Sequence, residues 1–415
     1  MTAFVEAAQR ATECMRTVFP PTPLLRNDHL SERFGADIFL KREDLSPVRS
    51  YKIRGAFNAM RKSLQANPEQ RHFVCASAGN HAQGVAFACR HFGVHGTVFM
   101  PVTTPQQKIM KTRSFGGDQI TIQLIGDIFD QSLAAAQAHC AQQQAHFLSP
   151  FDDGDVIEGQ ASVAVEMLEQ LDRAPDLVIL PVGGGGLSAG VTRYLQEYGA
   201  HSALRYVEPQ GGASLKAALA QGAPVTLDKI DSFVDGASVA RIGDRTFRNL
   251  RSVDKAHVLT APENRICITM LEMLNVEGIV LEPAGALSID VLPEIADMIA
   301  GKSVVCLTSG GNFDFERLPE VKERAMRHAG TKKYMILRLP QRPGALRDFL
   351  EILGPEDDIA RFEYLKKTAR NFGTVLIGIE TARPENFETL YARMLSAGFR
   401  FTDITEDDVI ADLVI

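Results

Sequence analysis

The stretch DLVILPVGGGGLSAGV, residues 176–191, decides how the chain is built. Leu177 to Val182 is a short apolar run of the kind that forms a buried strand. Gly183, Gly184, Gly185 and Gly186 follow it directly, and a helix opens near Leu187. Four residues without Cβ let successive amides converge on one oxyanion, and the dipole of the helix behind them adds to the field. The spacing is neither GxGxxG nor GxxxxGK[ST], so a Walker-type nucleotide site lacks its lysine. A flexible linker does not fit a position straight after a buried strand. The turn therefore reads as a phosphate-binding loop at a strand C-terminus, where α/β proteins hold their ligands.

Outward from this stretch the same alternation continues. Asp37 to Leu40, His72 to Cys75, Gly96 to Met100, Gln119 to Leu124 and Ser303 to Leu307 read as strands. Gly84 to Phe92 and Ile128 to Ala141 carry apolar residues three or four apart and read as helices. The pattern predicts α/β layering around a mainly parallel sheet. It changes after about residue 316. Glu316 to Lys333 is charged and helix-forming, without a clear partner face. Then come a strand at 334–339, a helix from Pro343 to Leu353, strands at 359–366 and 373–380, a helix at 384–397 and a strand pair at 399–404 and 409–414. That β-α-β-β-α-β order is the ferredoxin-like plan of a small α+β domain. The reading gives a body over 1–320, a linker over 321–332 and a C-terminal domain over 333–415.

Composition removes several classes of function. The chain has 415 residues and a net charge of −7, without a basic tract, which speaks against nucleic-acid binding. No apolar run reaches membrane-spanning length. Glu6 and Arg10 stand where a secretory signal needs its apolar core, so a cytoplasmic protein is expected. The six cysteines show neither CxxC nor a zinc spacing; free buried thiols and no metal are expected.

Three more segments carry chemistry. In KREDLSPVRSYKIRGA (41–56), Lys52 sits beside Tyr51 and Ile53, between Arg49 and Arg54. Desolvation and like charge both lower a lysine pKa, which would free the amine as nucleophile or base. The same residues also read as a basic surface turn. In SAGNHAQGVA (77–86), small residues precede Asn80 and His81 at a helix start, as an anion nest with an amide attached or as an ordinary Asn-capped turn. In VVCLTSGGN (304–312), a strand ends on Thr308, Ser309, Gly310, Gly311 and Asn312, so that a hydroxyl could meet a heterocycle nitrogen or simply form a turn. EGIVLEPAGA (277–286), with Glu277 and Glu282, could wall a pocket or cap a helix. A phosphate loop, an activated lysine, a carboxylate nest and a hydroxyl together suit an aldehyde-bearing phosphorylated pyridine holding an amino acid.

On these motifs the chain resembles the threonine dehydratases of the pyridoxal-phosphate β-family, fold type II, from about residue 4 to the C-terminus. The resemblance implies a two-subdomain catalytic body, with a smaller subdomain around 50–150, followed by an ACT-like regulatory domain whose first strand-to-helix turn is LPQRPGALRDFL (339–350). It makes Lys52 the catalytic lysine joined to pyridoxal 5′-phosphate. Asn80 then contacts the pyridine 3′-oxygen, and Ser77, Ala78, Gly79, Asn80 and His81 hold the substrate carboxylate. Gly183, Gly184, Gly185, Gly186 and Leu187 hold the phosphate, and Ser309 faces the ring nitrogen. The implied reaction converts L-threonine to 2-oxobutanoate and ammonia, the first step of isoleucine biosynthesis, under feedback by isoleucine, with valine as a second effector, in a homotetramer. L-serine dehydratases and serine racemases share the scaffold. The racemases carry a second serine where this chain has Ala78, which disfavours a two-base racemase. Glu208 resembles one ligand of their divalent-metal site, but Ser214 stands where a carboxylate is expected. A cysteine-synthase-like transferase and a non-catalytic amino-acid sensor are the remaining readings; the lysine argues against the sensor.

Overall fold

A computed structural model describes residues 1–365 and 371–407. The chain divides into two compact units, Met1–Asp314 and Phe315–Ile415.

The first unit contains two sheets. The larger has six strands in the order Leu24–Arg26, Asp37–Arg42, Ser303–Thr308, Leu177–Pro181, Ala203–Pro209 and Val258–Ala261. All its pairs are parallel except the first, where Leu25 lies opposite Leu40 on the antiparallel edge. The smaller is wholly parallel, in the order Ile120–Leu124, His95–Met100, His72–Ala76 and His146–Phe147. The strands expected from the alternation are present, but as two sheets rather than one. Each has its own apolar core: one includes Val178, Leu180, Val305 and Leu307, the other Phe73, Cys75, Val98 and Met100. Helices cover the faces, as parallel strands require.

Local chemistry sets the helix starts. Asp153 accepts hydrogen bonds from the amides of Asp155 and Val156 and so caps the helix Gly154–Gln170. Helix Lys52–Ala66 packs on this helix and is bolted to it by ions. The buried Arg54 guanidinium bonds Glu43 at 2.8 Å and Glu166 at 2.7 Å, and Lys41 Nζ reaches Glu166 at 2.8 Å. The two cations hold the Glu166 carboxyl down at about 2, against burial. These four side chains are fully or almost fully shielded from solvent.

In the second unit, helix Leu318–His328 turns Val321 and Ala325 inward, which gives the charged segment its partner face. The sheet runs Asp357–Leu365, Phe372–Thr381, Lys332–Pro340, Arg400–Asp403, all antiparallel. With helices Ala345–Leu350 and Asn386–Ser396 this is the ferredoxin-like arrangement. Alternation places Met335, Leu337 and Leu339 on one face with Val375, Ile377 and Ile379, under Phe349, Phe387 and Met394. The first helix is shorter than expected from residues 343–353. The strand expected at 409–414 lies outside the described residues.

All six cysteines are free; Cys75, Cys89, Cys267 and Cys306 are buried, whereas Cys14 and Cys140 are partly exposed. Among the described residues, no helix is long and apolar enough to cross a membrane.

Candidate active site

Lys52 is the first residue of helix Lys52–Ala66 and is delivered by a tight turn. Arg49 takes φ 58°, a left-handed conformation that non-glycine residues rarely adopt. The turn is tied to the TSGGN loop: Tyr51 N donates to Ser309 O at 3.1 Å, and Gly311 N donates to Arg49 O at 2.9 Å. The lysine motif and the serine motif are therefore neighbours. Lys52 Nζ donates to Pro150 O at 2.8 Å. Desolvation pulls its pKa down to about 8, opposed by the Glu282 carboxylate. Burial produces the shift without the two arginines expected to contribute. Arg54 is consumed by Glu43 and Glu166, and neither Arg54 nor Arg49 acts on the lysine.

The glycine turn links strand Leu177–Pro181 to helix Gly186–Tyr198. Gly185 has φ 89°, which requires glycine there. A Cβ on Gly184 would overlap the ring of Phe151, next in sequence to the residue that holds Lys52. The lysine and the glycine turn thus share one wall, Pro150–Phe151. Thr246 Oγ1 donates to Gly184 O at 2.8 Å and steadies the loop. Among the described residues, the amides of Gly183, Gly184, Gly185, Gly186 and Leu187 meet no backbone carbonyl, which suits them to an anion.

In the SAGNHA segment, Gly79 N donates to Ser77 Oγ at 3.2 Å, while the amides of Ala78, Asn80 and His81 find no backbone acceptor among the described residues. Asn80 opens helix Asn80–Phe92. Its Nδ2 donates to Glu282 Oε1 at 2.7 Å, and its Oδ1 accepts from Asn312 Nδ2 at 2.8 Å. His81 is buried, and its Nε2 donates to Leu148 O at 3.0 Å. Burial and the nearby Lys52 push its pKa down to about 3, so the ring is neutral and contributes its backbone rather than a charge. Ser309 is buried, with Oγ donating to Ala284 O at 3.1 Å.

These residues fit an aldehyde-bearing phosphorylated pyridine. The free amides of the glycine turn suit its anionic group, and an amine of lowered pKa stands beside them. Glu208 takes a different part from the one its position suggested. It accepts from Leu215 N at 2.6 Å and Lys216 N at 2.9 Å, so its carboxylate serves the start of helix Ser214–Gln221. No group of three metal-ligating side chains occurs among the described residues. Sequence reading did not single out Pro150, Phe151 or Thr246, and it named Glu282 and Asn312 without assigning their contacts.

Comparison with known proteins follows the two units. Residues 15–310 match the family described as pyridoxal-phosphate dependent enzyme, and residues 323–414 match the C-terminal regulatory domain of threonine dehydratase. The chain is 46% identical to the biosynthetic L-threonine dehydratase of Bacillus subtilis over 98% of its own length and 96% of the relative's. It is 48% identical to that of Mycobacterium tuberculosis H37Rv over 95% and 91%. The processed threonine deaminase isoform 2 of Solanum lycopersicum superposes with a TM-score of 0.72 at 32% identity, covering 78% of this chain and 94% of that one.

Proposed function

The chain belongs to the pyridoxal-phosphate-dependent enzymes and carries the regulatory domain of the threonine dehydratases, and from that premise we infer how its residues act. It is a lyase that converts L-threonine to 2-oxobutanoate and ammonia, the entry to isoleucine biosynthesis. Similarity to biosynthetic L-threonine dehydratases over nearly the full length of both chains carries this reading. The arrangement of Lys52 beside the glycine turn supports it.

Lys52 would carry the cofactor through its amine, and the amides of Gly183 to Leu187 would hold its phosphate. Bound there, pyridoxal phosphate supplies an electron sink for the pair left when the substrate Cα–H bond breaks. The amides of Ala78, Asn80 and His81, with the Ser77 hydroxyl at the loop entrance, orient the substrate carboxylate. With cofactor and substrate bound, the Lys52 amine would take the Cα proton as general base and return it to the leaving β-hydroxyl, which departs as water; a pKa of about 8 suits that exchange at neutral pH. Asn80 would address the ring oxygen. The Ser309 hydroxyl, whose proton goes to Ala284 O, would face the ring nitrogen as a neutral acceptor. Water then completes hydrolysis of the released enamine.

Residues 333–415 bind isoleucine, with valine as a second effector, and binding lowers the activity of the catalytic unit. The enzyme acts in the cytoplasm as a homotetramer. Steady-state rates on L-threonine and L-serine test the substrate: a higher kcat/KM on threonine with stoichiometric 2-oxobutanoate and ammonia is expected. Preference for serine, or D-serine as product, contradicts it.

A further inference from the structure

Glu282 is the N-cap residue of helix Pro283–Asp290, yet its side chain makes no capping bond to that helix. A buried carboxylate at a helix start ordinarily takes the free amides there. This one, only 6% exposed, turns away and accepts from Asn80 Nδ2, 202 residues distant in sequence. Its Oε1 lies against Gly310, in the volume a Cβ would fill, one residue beyond Ser309.

The consequences for Asn80 are geometric. An ionised carboxylate only accepts hydrogen bonds, so it dictates which end of the amide faces it. Nδ2 must point to Glu282 and Oδ1 to Asn312, whose own Nδ2 is also anchored on Val48 O at 2.8 Å. A flipped Asn80 would set oxygen against oxygen at one end and nitrogen against nitrogen at the other. One Nδ2 hydrogen remains after these bonds, held in a single direction. The consequences for Lys52 are electrostatic: the Glu282 charge favours its ammonium form against desolvation. Around Glu282 stand Asp235, Lys108 and Lys111, with the Tyr51 phenol also in its field. Lys108 and Asp235 pair with each other, which leaves the carboxylate in contact with Asn80 as its direct partner. Burial and Asp235 raise its own pKa to about 7, against Asn80 and the two lysines.

We propose that Glu282 is a positioning residue of the active site, locking the Asn80 amide in one orientation. This rests on the assignment of Lys52 as the cofactor-bearing lysine. The test uses the full chain with Glu282→Gln, Glu282→Asp and Glu282→Ala. Gln keeps the volume and an acceptor oxygen but loses the charge. The neutral amine is the nucleophile in cofactor capture, so the rate at which wild-type apoenzyme takes up pyridoxal phosphate should rise with pH through the lysine pKa. In Glu282→Gln that rise should move to lower pH by about one unit, because an opposing charge has been removed. Glu282→Asp should return it toward the wild-type position. In Glu282→Ala, kcat on L-threonine should fall about tenfold or more with KM changed much less, since Asn80 loses its anchor. Kinetics on L-threonine and pH profiles of capture rate that are both superimposable for wild type, Gln and Asp overturn the proposal even if Ala is inactive or unfolded. Loss of cofactor binding in Lys52→Ala alongside such profiles leaves the lysine assignment standing; retention of it would strike the assignment itself.

Discussion

An ε-amine of ordinary pKa is almost entirely protonated at neutral pH and cannot attack an aldehyde. Lys52 escapes this through position alone: the turn from Ser46 to Tyr51 delivers it into a partly shielded site where its amine meets a single carbonyl, Pro150 O. With its pKa lowered to about 8, the neutral fraction grows as pH rises through that value and then levels. The rate at which apoenzyme captures pyridoxal phosphate is therefore expected to increase from pH 7 to about 9 and to flatten above it; stopped-flow absorbance measures this. A rate that is flat across this window would count against a perturbed amine. Lys52, Asn80 and Ser309 were legible as candidates in the sequence because each lies in a short, distinctive motif. Glu282 and Phe151 were not, since their roles depend on residues far away along the chain: Asn80 for one, Gly184 for the other. The expectation that Arg54 tunes the lysine failed for the same reason. Adjacency along a helix says nothing about which way a side chain turns, and Arg54 turns toward Glu43 and Glu166.

The helix that begins at Lys52 is only as well placed as its anchor. Arg54, one half-turn on, donates to Glu43, Glu166, Thr22 and Ser162, and so ties the end of strand Asp37–Arg42 and helix Gly154–Gln170 to the helix turn that carries Lys52. Arg54→Met fills similar volume but leaves Glu43 and Glu166 facing an apolar chain, with Lys41 as the remaining cation. Breaking one partner out of a buried ionic cluster costs about 3–5 kcal/mol, and loss of that order is expected in denaturant unfolding monitored by circular dichroism. A change below about 1 kcal/mol would show that the cluster relaxes or hydrates instead. Periodicity identified most of these elements and their order. It did not separate the two sheets, because alternating strand and helix signals state how many parallel strands exist and not which of them pair.

At the scale of the chain, each unit has a core of its own and matches a separate family description. The C-terminal unit was legible as a ferredoxin-like fold because its strands alternate cleanly, with Met335, Leu337 and Leu339 facing the core. Its effector was not legible, since strand alternation reports packing and leaves recognition open. A chain ending at Asp314 is expected to keep turnover of L-threonine while losing its response to isoleucine. Initial rates with and without isoleucine check this, and inhibition that persists in the shortened chain would place the effector site elsewhere.

The most direct measurement of the central claim compares wild type with Lys52→Ala, both purified with excess pyridoxal phosphate and then desalted. Wild type should retain visible absorbance from bound cofactor and release 2-oxobutanoate from L-threonine, while the variant should lose both and remain folded by circular dichroism. A Lys52→Ala protein that stays yellow and still produces 2-oxobutanoate at the wild-type rate would contradict the account.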